Sequence, residues 1–149
     1  MDATTVIALL DLAPHPEGGH FRETWRHQPD DGGRGAGTAI YFLLAEGERS
    51  HWHRVDADEV WHFHGGAELR LEVAASSGAP VAVRRLGLDL GGGSVPQHVV
   101  PAGWWQAAES TGPWTLVSCT VSPAFSFDGF ELAPPGWAPS GPSSPAPPR

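Results

Sequence analysis

Ser50-His51-Trp52-His53-Arg54-Val55-Asp56-Ala57-Asp58-Glu59, followed by Gly66 and then by Pro101-Ala102-Gly103-Trp104-Trp105-Gln106, decides how this chain is read. Successive side chains of a strand point to opposite faces, so His51 and His53 are expected on one face with Trp52 on the other. A turn over 54–58 brings Glu59 to the start of the next strand, its carboxylate directed to the same interior. Two neutral imidazoles and one carboxylate suit a borderline divalent metal such as Fe, Ni, Mn or Zn. The alternative reading has His51 and His53 hydrogen-bonded in a polar interior without a metal.

Outward from this stretch run short β-rich segments separated by Gly, Pro and Asp, at 19–27, 38–45, 59–64, 68–74, 81–86, 98–100, 104–108 and 114–122. About eight strands with turn signals between them predict a sandwich or barrel. Ahead of them Val6, Ile7, Leu9, Leu10 and Leu12 recur at helical spacing. The segment 4–13 is therefore predicted as a short amphipathic helix, capped by Asp2 or Thr4 and broken by Pro14 and Pro16. The Gly-rich runs 30–37 and 91–94 lead into strands, not helices, and read as loops that hold no phosphate. Beyond Gly136 a Pro/Ser-rich tail has little to bury. The organisation expected is one domain over 1–137 with a disordered tail over 138–149.

Composition removes several classes of function. A chain of 149 residues is the size of one domain with its own core. All nine basic residues are Arg and the formal net charge is −8. Without Lys there is no Schiff-base chemistry and no phosphate loop ending in Lys. Scattered Arg on an acidic chain argues against a nucleic-acid surface. No apolar run approaches membrane-spanning length and no basic, apolar leader opens the sequence, so a cytoplasmic protein is expected. Cys119 stands alone in an apolar run, which fits a reducing compartment and a buried, unreactive thiol.

Several motifs taken together resemble a known family. They are His15-Pro16-Glu17-Gly18-Gly19-His20-Phe21-Arg22-Glu23-Thr24-Trp25-Arg26, Thr38-Ala39-Ile40-Tyr41-Phe42-Leu43-Leu44, His53-Arg54 with Asp58-Glu59-Val60-Trp61-His62-Phe63, Val100 to Gln106, and Phe125 to Glu131. This set resembles the cupin superfamily, and within it the DUF985 (cupin_5) subfamily, over roughly residues 5 to 137. The resemblance implies an all-β fold, the double-stranded β-helix or cupin jelly-roll barrel, with a short N-terminal helix and pairing as a homodimer. It also implies a metal held by His51, His53 and Glu59. Where the superfamily pattern has a last His, this chain has Gln106, a weaker and neutral fourth ligand.

Other residues are assigned from strand alternation. Trp61 and Phe63 share Glu59's face and are expected to wall a pocket, whereas His62 and His64 fall on the outer face. Tyr41, the only tyrosine, is a candidate general acid. Arg22 is a candidate reader of a carboxylate or phosphate group. In the segment 17–26, alternation places Arg22, Thr24 and Arg26 on one face and Phe21, Glu23 and Trp25 on the other. Trp104 shares Gln106's face beside the ligand position.

The function expected is binding of a small polar metabolite in the barrel interior, with a divalent metal in a dioxygenase- or isomerase-type enzyme. A metal-free sugar or keto-acid isomerase or epimerase, with Tyr41 as acid, His53 as base and Glu59 holding His53, is the alternative. A non-catalytic small-ligand-binding module is the third reading.

Overall fold

The computed structural model describes residues 1–141. The predicted helix forms as α1, Ala3–Leu10. Asp2 caps it, accepting a hydrogen bond from Thr5 N at 2.8 Å, and Asp11 in the left-handed region ends it. Among the described residues eleven strands follow: β1 Ala13–Pro14, β2 His20–Arg26, β3 Thr38–Ala45, β4 Arg49–Val55, β5 Asp58–Gly66, β6 Leu69–Ala74, β7 Ala82–Leu86, β8 Gln97–Val100, β9 Trp105–Ser110, β10 Trp114–Ser122 and β11 Phe130–Leu132. They build two facing antiparallel sheets, β1-β2-β3-β10-β5-β8 and β11-β4-β9-β6-β7. This is the expected all-β jelly-roll architecture.

Burial follows the pleat. On β3 the alternate residues Thr38, Ile40, Phe42 and Leu44 point between the sheets, while Tyr41, Leu43 and Ala45 face outward under α1. One end of the interior is packed solid by Phe42, Leu44, Trp61, Leu69, Leu71, Val73, Leu86, Val100 and Val117, a continuous apolar plug. The opposite end stays open as a cavity. The barrel thus has a closed floor and one mouth.

Two bulges change which residues face the interior. On β2, Glu23 pairs with Ile40 but Trp25 pairs with Ala39, so Thr24 is an extra residue. Arg26, opposite Thr38, thereby joins Glu23 on the interior face, and the expected grouping of Arg26 with Arg22 is overturned. On β4, Ser50 pairs with Ala108 and His53 with Gln106, three residues against two. His51 falls in that bulge, and its ring leaves the interior.

The start of the expected disordered tail is packed against the outside of the five-stranded sheet. Trp137 packs on Trp105 with tilted rings whose centroids are 4.4 Å apart, Pro139 is buried, and Ser140 N donates to Ser77 O at 2.7 Å. Residues 142–149, the rest of that tail, lie outside the described residues.

Candidate functional site

The cavity begins with a loop. Between β1 and β2 the chain turns at 15–19, with Gly18 N donating to His15 O at 3.0 Å and His15 N donating to Gly19 O at 2.9 Å. His51 N then clamps the loop to β4 through Glu17 O at 2.8 Å. Only glycine suits this path at position 18: φ is +108° and a Cβ would stand 2.1 Å from Arg49 O. Position 19, at φ +80°, would drive a Cβ into Phe42 and Leu44. The two glycines let Glu17 drop into the barrel mouth, where it is only 7% exposed.

Glu17 meets His53 there, with Oε2 3.0 Å from Nε2. His53 Nδ1 lies 2.7 Å from His51 O, which can only accept, so Nδ1 carries the hydrogen and Nε2 presents its lone pair to Glu17. A lone pair facing a carboxylate requires a proton between them. Burial pushes the Glu17 carboxyl up to about 8, and burial lowers His53. The proton therefore resides on Glu17 at neutral pH and is donated to Nε2. His15 flanks the pair: its Nδ1 accepts from Glu17 N at 3.1 Å, and burial, with the neighbouring His53 adding to it, takes it down to about 4. His15 is neutral as well.

Glu59 forms the second acidic position. Its Oε1 accepts from Gln106 Nε2 at 2.6 Å, and Gln106 Oε1 accepts from Trp61 Nε1 at 2.7 Å. The indole can only donate, so it fixes the amide oxygen toward Trp61 and the amide hydrogens toward Glu59. Burial raises Glu59 to about 7; His53 opposes that rise and Glu17 adds to it. The Cys119 thiol beside it is pushed well above its ordinary range by burial. Glu59 thus changes charge near neutrality.

Phe21, Ile40, Val55, Val121, Phe125, Phe127 and Phe130 wall the remaining space, and Glu23 and Arg26 also line it. Its volume is about 70 Å³, well below that of a cavity for a drug-sized ligand. Ser50 Oγ is buried near Glu17 yet makes no hydrogen bond of normal geometry, although the hydroxyl still eases the Glu17 carboxyl downward. Two protonatable carboxyls and an imidazole lining the cavity leave hydrogen-bonding capacity for a small polar guest.

His53 and Glu59 lie where the sequence placed them, inside the barrel. His51 does not: its Nε2 bonds Pro134 O at 2.9 Å and it lines no part of the cavity. Gln106 is interior, but its oxygen is occupied by Trp61. Trp61 and Phe63 are interior as expected, within the packed floor and not around the cavity, and Trp104 packs against that same floor. Tyr41 and Arg22 face outward, Tyr41 beneath α1 and Arg22 over the Tyr41 ring at 5.6 Å. Tyr41 is therefore not positioned to work with His53, because odd and even residues of β3 face opposite ways. His62 and His64 bond Thr120 Oγ1 and Ser118 Oγ on the outer face, as alternation predicts. His15 and Glu17 were missed; the signal was a Glu set before paired glycines in Pro16-Glu17-Gly18-Gly19.

The residues present do not fit the expected metal. Among the described residues no three His, Cys, Asp or Glu side chains converge as ligands. Turning Gln106 to offer its oxygen would strand the buried Trp61 N–H.

Two facing antiparallel sheets around an interior site with one mouth define a double-stranded β-helix of the cupin class. The family model described as Cupin superfamily (DUF985), Cupin_5, matches residues 4–133, and the chain belongs to this family. A structural-genomics protein from Shewanella oneidensis is similar at 41% identity and TM-score 0.83, over 89% of this chain and 85% of that one. A hypothetical protein from Leishmania major follows at 31% identity and TM-score 0.80, over 89% and 88%. Oxalate decarboxylase from Bacillus subtilis shares the fold alone, at 11% identity and TM-score 0.62 over 83% of this chain and 30% of that one. No curated protein matches the chain. No helix among the described residues is long and apolar enough to cross a membrane.

Proposed function

We propose that this protein binds a small carbonyl-bearing metabolite in the barrel mouth and moves a proton on it without a metal, as an isomerase or epimerase does. The observation that carries this reading is the Glu17–His53 pair, 3.0 Å apart in a nearly dry site, with the proton on the carboxyl and the lone pair on the imidazole. A guest carbonyl inserted at Glu17 takes that hydrogen bond and frees Nε2 as a base. The C–H bond next to the carbonyl breaks, its proton goes to Nε2, and the electron pair moves to the carbonyl oxygen, which takes the Glu17 proton. Return of a proton to the other face or the neighbouring carbon completes the change. Glu59 supplies the charge that steadies the protonated imidazole. The test is deuterium exchange from solvent into 2-oxobutyrate, hydroxyacetone and glyceraldehyde, followed by NMR. Exchange lost in His53→Asn and Glu17→Gln supports the proposal; absence of exchange across the panel refutes it.

The metal-dependent reading has a narrower footing. Oxalate decarboxylase of Bacillus subtilis, which shares the fold, has Mn(II) centres, but here His51 and Gln106 would both have to leave their present partners. Elemental analysis of untagged protein, reloaded with Fe, Ni, Mn or Zn, tests it. A stoichiometric metal lost in Glu59→Gln would replace the proton-transfer reading. The expected homodimer and the cytoplasmic location belong to the same proposal. About half of Trp25 and of Val99 is exposed on the outside of the six-stranded sheet, and light scattering that finds a monomer at high concentration would end the dimer.

A further inference from the structure

The cavity mouth carries a charge pair whose two members both line the ligand space. Arg26 Nε donates to Glu23 Oε1 and Arg26 Nη2 to Glu23 Oε2, each at 2.8 Å, a fork-to-fork match. The third nitrogen, Arg26 Nη1, donates to Phe125 O at 2.9 Å, and Phe125 N in turn donates to Thr38 Oγ1 at 3.1 Å. Arg26 is thus anchored to the aromatic wall by one nitrogen while its other two serve a carboxylate. That carboxylate is replaceable. Glu23 is about one-third exposed (35%) and Arg26 similarly so (33%), so Glu23 can turn to water without stranding a buried charge. The other acids at the mouth do not compete for Arg26: Glu17 is protonated, and Glu59 is held by Gln106.

We infer that Glu23 is a stand-in for the ligand's own carboxylate, and that the substrate class is small monocarboxylic keto acids, whose carboxylate displaces Glu23 from the Arg26 fork. The exchange swaps one carboxylate for another, so the charge at the fork is unchanged. It orients the guest with its carboxylate at the rim and its carbonyl inward, toward Glu17. The small volume, about 70 Å³, limits the chain behind that carboxylate to a few carbons. Arg26 is then the residue that sets specificity, and Glu23 a built-in competitor. The inference rests on the cavity being the ligand site, as proposed above, and not on the proton transfer itself.

A displaceable stand-in has a signature that a structural ion pair lacks: its two members respond with opposite sign. Titration calorimetry with 2-oxobutyrate and its uncharged amide, 2-oxobutyramide, reads this directly. Wild type is expected to bind the acid and to bind the amide at least tenfold more weakly. Glu23→Gln should tighten the acid several-fold, because the internal competitor is gone. Arg26→Gln should weaken it at least tenfold, and Arg26→Lys should restore only part, since an ammonium lacks the fork. An ion pair one-third exposed to solvent contributes little to folding, so both variants should melt within a few degrees of wild type. If Glu23→Gln and Arg26→Gln weaken binding alike, or the amide binds as well as the acid, or neither binds, the inference is wrong. His53→Asn separates the two proposals. Binding kept and exchange lost supports both, whereas the Arg26 pattern without exchange in wild type leaves the carboxylate fork standing and removes the proton transfer.

Discussion

Replacing Glu17 by Gln should raise stability at alkaline pH while leaving it unchanged in mild acid. The carboxyl titrates at 4.5 in the unfolded chain and at about 8 in the fold. Between those values the folded protein holds a proton that the unfolded chain has released, so stability falls as pH rises through the window and levels off above it. One pH unit of separation is worth about 1.4 kcal/mol. The separation here sets an upper bound on the order of 4–5 kcal/mol, and sharing of the proton with His53 and Glu59 brings the expected loss to roughly 2–3 kcal/mol. In Glu17→Gln the amide still donates to His53 Nε2, so the hydrogen bond survives and only the titration disappears. At pH 8.5 the variant should melt about 5–10 °C above wild type, and the two should converge as pH falls to 4.5 and below. Urea unfolding followed by Trp fluorescence across this window, from below 4.5 to above 8, measures both. The slope left in the variant belongs to Glu59, whose rise to about 7 acts in the same direction. His15, lowered to about 4, acts oppositely: its contribution is lost as pH falls from 6.5 toward 4. Parallel pH profiles for wild type and Glu17→Gln would show that Glu17 is not buried beside His53, and the proposed acid would go with it.

Three further substitutions address the frame of the site. Gln106→Leu leaves the Trp61 N–H and one Glu59 oxygen without partners, at a cost on the order of 2–4 kcal/mol in denaturant unfolding; a loss below about 1 kcal/mol would contradict the buried relay. Gly18→Ala places a Cβ 2.1 Å from Arg49 O at φ +108°, so a loss above roughly 3 kcal/mol is expected. A Gly18→Ala protein with wild-type melting would mean that the 15–19 loop does not take this path. Trp137→Ala strips the cover from Trp52 and Trp105 and should cost about 2–3 kcal/mol, whereas an unchanged melting temperature would detach that segment from the fold.

What could be read from the sequence was what depends on near neighbours. The β-rich runs 38–45 and 114–122, bounded by Gly37, Pro113 and Pro123, mark β3 and β10, and the pleat, which repeats every two residues, sets their faces whatever the partner strand. The same rule failed at His51 and Arg26. A bulge is an agreement between two strands about spacing, three residues of β4 against two of β9 or a spare Thr24 opposite β3, and no local pattern encodes it. Each slip inverts the faces beyond it. One removed His51 from the interior and the other brought Arg26 in. Glu17 was hidden for another reason: a carboxylate between strands ordinarily belongs to solvent. Only Gly18 and Gly19, taking conformations closed to other residues, reveal that the loop folds inward. Tyr41 was drawn to the interior by its chemistry, although the apolar residues on either side of it, Ile40 and Phe42, already claimed that face.

Charge ties the remaining features together. A site with three carboxylates, two imidazoles and an arginine could carry a large net charge, and desolvation would oppose it. Burial keeps the proton on Glu17 and His15 neutral, and raises Glu59 to about 7 against the opposing Gln106 hydrogen bond, while Arg26 cancels Glu23 at the rim. Gln106 is central to that balance. An imidazole at its position could supply a metal ligand, whereas an amide locked by Trp61 can only donate to Glu59. The chain has thereby given up an acceptor and gained a fixed donor that lets one carboxylate ionise as pH rises. On the proposed function, the raised Glu17 carboxyl keeps its proton beside a lowered His53, so a carbonyl that takes the Glu17 hydrogen bond frees Nε2 as a base.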